Sequence, residues 1–183
     1  MSIKQSAPGF RTGRNLEALD VLGPTIEFLP GSNHLPANYC IMRGKIPPGI
    51  FIPLHSHDDF ETFIMVSGEL DALQETPDGP GWISLLSGDV LDIPGRIKHA
   101  FRNRSAEPAV AIIISTAKIG NFFREIGRSI VPGSPASSAP PLETIQHFLR
   151  TAEKYGYWIA TPEENAAVGL QMPDPSVDAS PAR

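Results

Sequence analysis

His55, His57, Glu61 and His99 are the residues whose types and spacing point to chemistry. His55-Ser56-His57 sets two imidazoles two residues apart, and in an extended strand that spacing sends both to one face. Glu61 follows His57 by an even step and shares the face if no bend shifts the register. His99 arrives from a second extended segment beyond an intervening hairpin. Three neutral imidazoles and one carboxylate are a donor set for a divalent first-row metal. With no thiolate among them, Fe, Mn, Ni, Co and Zn all qualify, and sequence does not choose between them. Four protein ligands leave one or two positions open on an ion that prefers five or six, and open positions separate a catalytic site from a closed structural one. Glu61 has two roles open to it. It is a ligand or, once released, a general base within reach of a coordinated hydroxyl or enol.

Same-parity neighbours of these residues face the same way: Phe63 and Met65 beyond Glu61, Phe101 and Asn103 beyond His99. They are the candidate substrate pocket, an apolar wall below the metal, and equally the ordinary filling of a small barrel. The elements that position them are short. Pro24 to Leu29, Asn38 to Ile46, Ile50 to Leu54, Phe60 to Val66, Glu69 to Gln74, Trp82 to Leu86, Val90 to Ile93, His99 to Asn103 and Ala109 to Thr116 read as strands. Pro47-Pro48-Gly49 ends one of them, Ser67-Gly68 suggests a hairpin turn, and Pro77 to Gly81 reads as a loop. Val110 to Ile114 is apolar on both faces, which calls for cover on both sides by a second sheet or a partner subunit. Regular short strands with turns between them predict an all-β barrel.

After Ala117 the period becomes helical. Ile119 to Ile126 is stopped at Gly127, and Leu142 to Tyr155 is the clearest helix, with Leu142, Ile145, Phe148, Leu149 and Ala152 on one side and Gly156 at its end. Thr161-Pro162-Glu163-Glu164 opens a third, short one. The expected organisation is an N-terminal arm (1–23), a barrel (24–117), a C-terminal helical extension (118–172) packed outside the barrel or across its mouth, and a flexible tail (173–183).

Composition narrows the partners. One domain is the prior for 183 residues, and Pro 19 with Gly 16 fits turn-rich β structure. A net charge of -5 argues against a broad nucleic-acid footprint. No apolar stretch reaches membrane-spanning length and the N-terminus lacks a signal-peptide core, so a cytoplasmic location without a membrane is the default. Cys40, the one cysteine, has no intramolecular partner and reads as a small buried hydrophobe. His34 and His147 read as surface residues, as do Arg96 and Lys98. Asp58 and Asp59 read as solvated, with a hydrogen bond to a ligand imidazole as their functional option.

The four donors sit in a larger frame, Gly49-x5-His55-x-His57-x3-Glu61-x6-Gly68 followed by Gly88-x5-Pro94-x4-His99-x3-Asn103. This frame resembles the two motifs of the cupin superfamily, departing once, where the usual glycine two after the proline is Arg96. With the aromatic segment Gly120 to Gly127, the resemblance extends to single-domain cupins similar to quercetin 2,3-dioxygenase. It implies a jelly-roll barrel, with His55, His57, Glu61 and His99 as metal ligands. It also implies a dioxygenase in which an enolised aromatic or dicarbonyl substrate gives its proton to Glu61 and O2 adds to the activated carbon. Two rivals stand beside it: an isomerase, lyase or decarboxylase that uses the same site without O2, and a small-molecule-binding protein without turnover. A homodimer through the doubly apolar strand is the expected assembly.

Overall fold

Alternating β-branched and small residues build the long strand inside the larger sheet. Ala109–Thr116 reads AVAIIIST, and its side chains are buried and half-buried in strict alternation. The computed structural model describes residues 16–29, 38–76, 79–130 and 140–171. In chain order the elements are β1 (Ala18–Asp20), β2 (Thr25–Phe28), β3 (Tyr39–Ile46), β4 (Phe51–Ser56), β5 (Glu61–Ser67), β6 (Glu69–Thr76), β7 (Gly79–Leu86), β8 (Val90–Ile93), β9 (His99–Arg102), β10 (Ala109–Thr116), α1 (Ala117–Ile126), β11 (Arg128–Ser129), α2 (Leu142–Tyr155), β12 (Trp158–Ile159) and α3 (Pro162–Ala167). The strands form two antiparallel sheets, ordered β11-β1-β2-β3-β10-β5-β8 and β12-β4-β9-β6-β7. The expected all-β jelly roll with C-terminal helices is what forms. The barrel also takes strands from both of its expected flanks, β1 on one side and β11 and β12 on the other. The arm to residue 15, His34, the segment 131–139 and the tail 173–183 lie outside the described residues.

Between the sheets lies a core that includes Met42, Phe63, Met65, Leu70, Phe101 and Ile113, and α1 adds Ile119, Phe122 and Ile126 to it. Phe122 is therefore part of the packing between α1 and the barrel. A second apolar layer covers the outer face of the smaller sheet, where Leu54, Leu73 and Ala100 meet Ala160 and Leu170 from the C-terminal segment. The helical extension packs on the barrel in two places, α1 and α2 against the main core and the segment beyond β12 against the outer face of the smaller sheet. No helix among the described residues is long and apolar enough to cross a membrane.

Several local expectations change. Ser67-Gly68 is not a hairpin turn, because β5 and β6 belong to different sheets. Gly68 turns the corner between them at φ 77°, where a Cβ would lie 2.4 Å from the Pro108 carbonyl oxygen. The loop from Pro77 to Gly81 shrinks, since Thr76 pairs with Gly79 and Gly81 is already in β7. On α2 the buried side chains are Thr151 and Ala152, while Leu142 (63%) and Leu149 (47%) are exposed. Gly127 ends α1 with ordinary φ (-78°), and its lack of a side chain serves close approach to Leu19.

Candidate metal centre

Each candidate ligand is set by a different local device. On β4, the register with β9 shifts between Ile52 and His55, so that His55 lands opposite His99. Pro53 sits in this irregularity, where its missing N–H costs no ladder bond. His57 stands just past the end of β4, in the bend that carries the chain to the other sheet, and Glu61 is the first residue of β5. The expected extended His55–His57 segment therefore ends between the two imidazoles. Their convergence owes as much to the bend as to strand parity.

The ligand atoms of His55, His57, Glu61 and His99 all lie within 4.8 Å of one another. A first-row ion with bonds of about 2.0–2.2 Å spans at most about 4.4 Å between opposite ligands, so the side chains need close in by only a few tenths of an ångström to hold one. Each ring is oriented by a backbone carbonyl: His55 Nδ1 donates to Pro53 O (2.7 Å), His57 Nδ1 to Asp59 O (2.9 Å) and His99 Nδ1 to Ile97 O (2.8 Å). A carbonyl oxygen only accepts, so every Nδ1 carries the proton and every neutral ring turns its Nε2 lone pair to the centre. Glu61 Oε2, another acceptor, lies 3.2 Å from His99 Nε2 and 3.4 Å from His57 Nε2. His57 Nε2 is buried and makes no hydrogen bond. Lone pairs aimed at one point with an orphaned nitrogen among them need a proton or a cation between them. This donor set fits a divalent metal.

The electrostatics agree. Burial, with the neighbouring His99 ring, pushes His55 down to about 3, so it is neutral at physiological pH. Burial alone would raise Glu61, yet the imidazoles of His57 and His99 hold it well below the usual carboxylate range. Burial opposes charge on His57, but the Glu61 carboxylate prevails and raises it. The cluster therefore offers one anion in a buried setting, the condition under which a cation is held most strongly.

Around the centre, the sequence-predicted pocket residues divide. Phe63, Met65 and Phe101 are each at most 3% exposed, and the rings of Phe63 and Phe101 stand 4.6 Å apart in the core. Asn103 does not offer its amide to a substrate. Its Nδ2 donates to Ile46 O (2.9 Å) and Glu107 O (2.8 Å), and its Oδ1 accepts from the Ser105 amide and hydroxyl. That is a saturated amide pinning the turn after β9.

Asp59 is not solvated either; its backbone holds His57 and its buried carboxylate accepts from the hydroxyls of Tyr157 (2.7 Å) and Thr116. Asp58 is exposed and pairs with Arg96 (2.7 Å). Lys98 stacks over Trp158 at 4.1 Å, and His147 Nε2 donates to Glu125 O. Sequence reasoning missed Tyr157, Trp158 and Asn165 because their partners, Asp59, Lys98 and Leu54, lie far away in the chain. Only the Gly156 stop marked the place.

Residues 42–115 match the family model of the Cupin domain, and that segment contains all four candidate ligands. Among solved structures, the chain is similar to an RmlC-like cupin from Shewanella frigidimarina (18% identity, TM-score 0.49, 61% of this chain and 93% of that one). KdgF from Halomonas sp. gives 16% identity and a TM-score of 0.49, over 60% of this chain and 94% of that one. A mutant of oxalate decarboxylase OxdC from Bacillus subtilis gives 21% identity and a TM-score of 0.45, over 54% of this chain and 27% of that one. No curated protein matches the chain.

Proposed function

We propose that this chain is a metal-dependent cupin enzyme, a dioxygenase acting on a small enolisable aromatic or dicarbonyl compound. The supporting observation is the convergence of three Nε2 lone pairs and the Glu61 carboxylate on one buried point, with His57 Nε2 left without a protein partner. A divalent cation bound there supplies Lewis acidity toward substrate oxygens. His55, His57 and His99 hold it in fixed tautomers. Glu61, kept ionised, serves as ligand and as the base that accepts the substrate's acidic proton. The core around Phe63 and Phe101 is closed to bulk, so substrate approaches from the mouth, where His55 is only partly covered. Elemental analysis of protein purified without added metal, followed by oxygen uptake on flavonols and 1,3-diketones, tests this reading. The packing of Phe63, Met65 and Phe101 leaves little room below the centre. That favours, as the second reading, an O2-independent isomerase, lyase or decarboxylase of a compact substrate, which turns over anaerobically.

For assembly, we propose a homodimer through the outer face of the larger sheet. Along that face Ile112 lies between Arg43 and Ile64, and Ile64 lies beside Val90, which is 59% exposed. Lys45 borders this apolar strip on the β3 side, where Arg43 is already paired with Glu27 (2.5 Å), and Asp92 borders it on the β8 side. A two-fold partner brings each basic border to the other copy's acidic one.

A further inference from the structure

His57 is the one candidate ligand that does not stand on a strand, so no ladder fixes its ring. What fixes it is the Asp59 carbonyl, which accepts its Nδ1–H at 2.9 Å. Asp59 is itself held through its side chain. Its buried carboxylate takes the Tyr157 O–H at 2.7 Å on one oxygen and the Thr116 O–H on the other, with the Lys118 ammonium 3.9 Å away.

Tyr157 is delivered to this place by the chain on both sides of it. Gly156 adopts the left-handed conformation (φ 75°) that L-residues other than glycine resist. The Gly156 amide donates to Glu153 O and the Tyr157 amide to Ala152 O, both at 2.9 Å, which ends α2 and turns the next residue inward. Immediately afterwards Trp158 pairs with Ser56 and Ile159 with His55, so the following strand is laid along the ligand strand itself. Between these anchors the Tyr157 ring lies 5.1 Å from the His57 ring and 4.9 Å from Phe122.

Given the metal centre proposed above, we propose that Tyr157 is a positioning residue for it: through the Asp59 carboxylate, the phenol fixes the bend that holds His57 Nε2 on the metal. The C-terminal extension is then part of the centre and not only packing around it. Tyr155 supplies the contrast, since its hydroxyl meets Glu125 at the exposed surface.

Tyr157→Phe keeps the ring and deletes the O–H. Co(II) is the probe, with affinity measured by chelator competition and geometry by its visible absorption. Tyr157→Phe is expected to bind Co(II) about tenfold more weakly than wild type, with a shifted absorption band. Tyr155→Phe is expected to match wild type in both. In metal-free protein, ¹⁵N NMR of the histidine rings is expected to show a single Nδ1–H tautomer for His57 in wild type and an averaged one in Tyr157→Phe. If Tyr157→Phe unfolds, Asp59→Asn, which can accept from only one of the two hydroxyls, carries the same comparison. Wild-type affinity, absorption and His57 tautomer in the variant overturn the proposal. Absence of Co(II) uptake by wild type, with the His57 ring still freed by Tyr157→Phe, removes the metal reading and leaves the positioning role standing.

Discussion

Glu61 Oε2 and His99 Nε2 face each other at 3.2 Å from opposite sheets, close enough to share one proton or one cation. A cation bound there would take that place and link the sheets. Removing it with a chelator is expected to lower the thermal midpoint by about 5–10 °C, the equivalent of about 2.7 kcal/mol for a metal at a hundred times its dissociation constant. His55→Ala and His99→Ala are expected to abolish this chelator effect, read by differential scanning calorimetry with and without metal.

Acid is expected to destabilise the metal-free protein. His55 is held down to about 3 against an ordinary 6.5, so between those values the unfolded chain binds a proton that the native one refuses. Stability therefore falls as pH drops through this window. Glu61, also lowered, adds loss in the same direction. His57, raised, contributes stability below 6.5 that fades as pH rises through its native value. Thermal midpoints from pH 4 to 8 should show the fall below about 6.5, with a shallower slope in His55→Gln.

Gly95 and Arg96 are expected to behave oppositely to the motif's usual preference. A Cβ on Gly95 would lie 2.2 Å from the Asp58 carbonyl oxygen, beside His57, so Gly95→Ala should cost about 1–3 kcal/mol and weaken metal binding. Arg96 holds φ 71° and an exposed pair with Asp58. Relief of left-handed strain in Arg96→Gly, about 1–2 kcal/mol, offsets the lost pair and the added chain entropy. The variant should stay within about 1 kcal/mol of wild type in urea titrations.

Asn165 is wholly buried; its Oδ1 takes the Leu54 amide (2.9 Å) and its Nδ2 reaches Ala160 O and Thr161 O. Asn165→Leu leaves the Leu54 amide and the Ala160 carbonyl without their side-chain partner, while Thr161 O keeps the Asn165 amide (3.0 Å). About 2–4 kcal/mol of stability should be lost, with faster amide exchange at Leu54 as the local sign.

Ile112→Lys places a charge in the middle of the outer apolar strip. Light scattering is expected to give twice the 19.8 kDa chain mass for wild type and the single-chain mass for this variant. A monomeric wild type removes the dimer proposal.

The four donors were legible because their residue types are scarce and their spacing is rigid, and the strands because alternation reports a half-buried sheet. What alternation does not report is which sheet a strand joins: Ser67-Gly68 looks like a hairpin, and only the approach of Gly68 to Pro108 makes it a corner. Asp59 looked solvated because two acids in a row usually are. Its burial depends on Tyr157, nearly a hundred positions on (|i−j| = 98). Asn103 shared the parity of the pocket yet spends its amide on the following turn, a choice made by local hydrogen-bonding chemistry rather than by face.

The short strand Trp158–Ile159 occupies a flank of Phe51–Ser56 that would otherwise show unpaired amides and carbonyls to other chains. A truncation before Trp158 would turn that flank into a template for intermolecular growth. Such a protein is expected to aggregate on storage, at a rate rising with concentration, even where its barrel still folds.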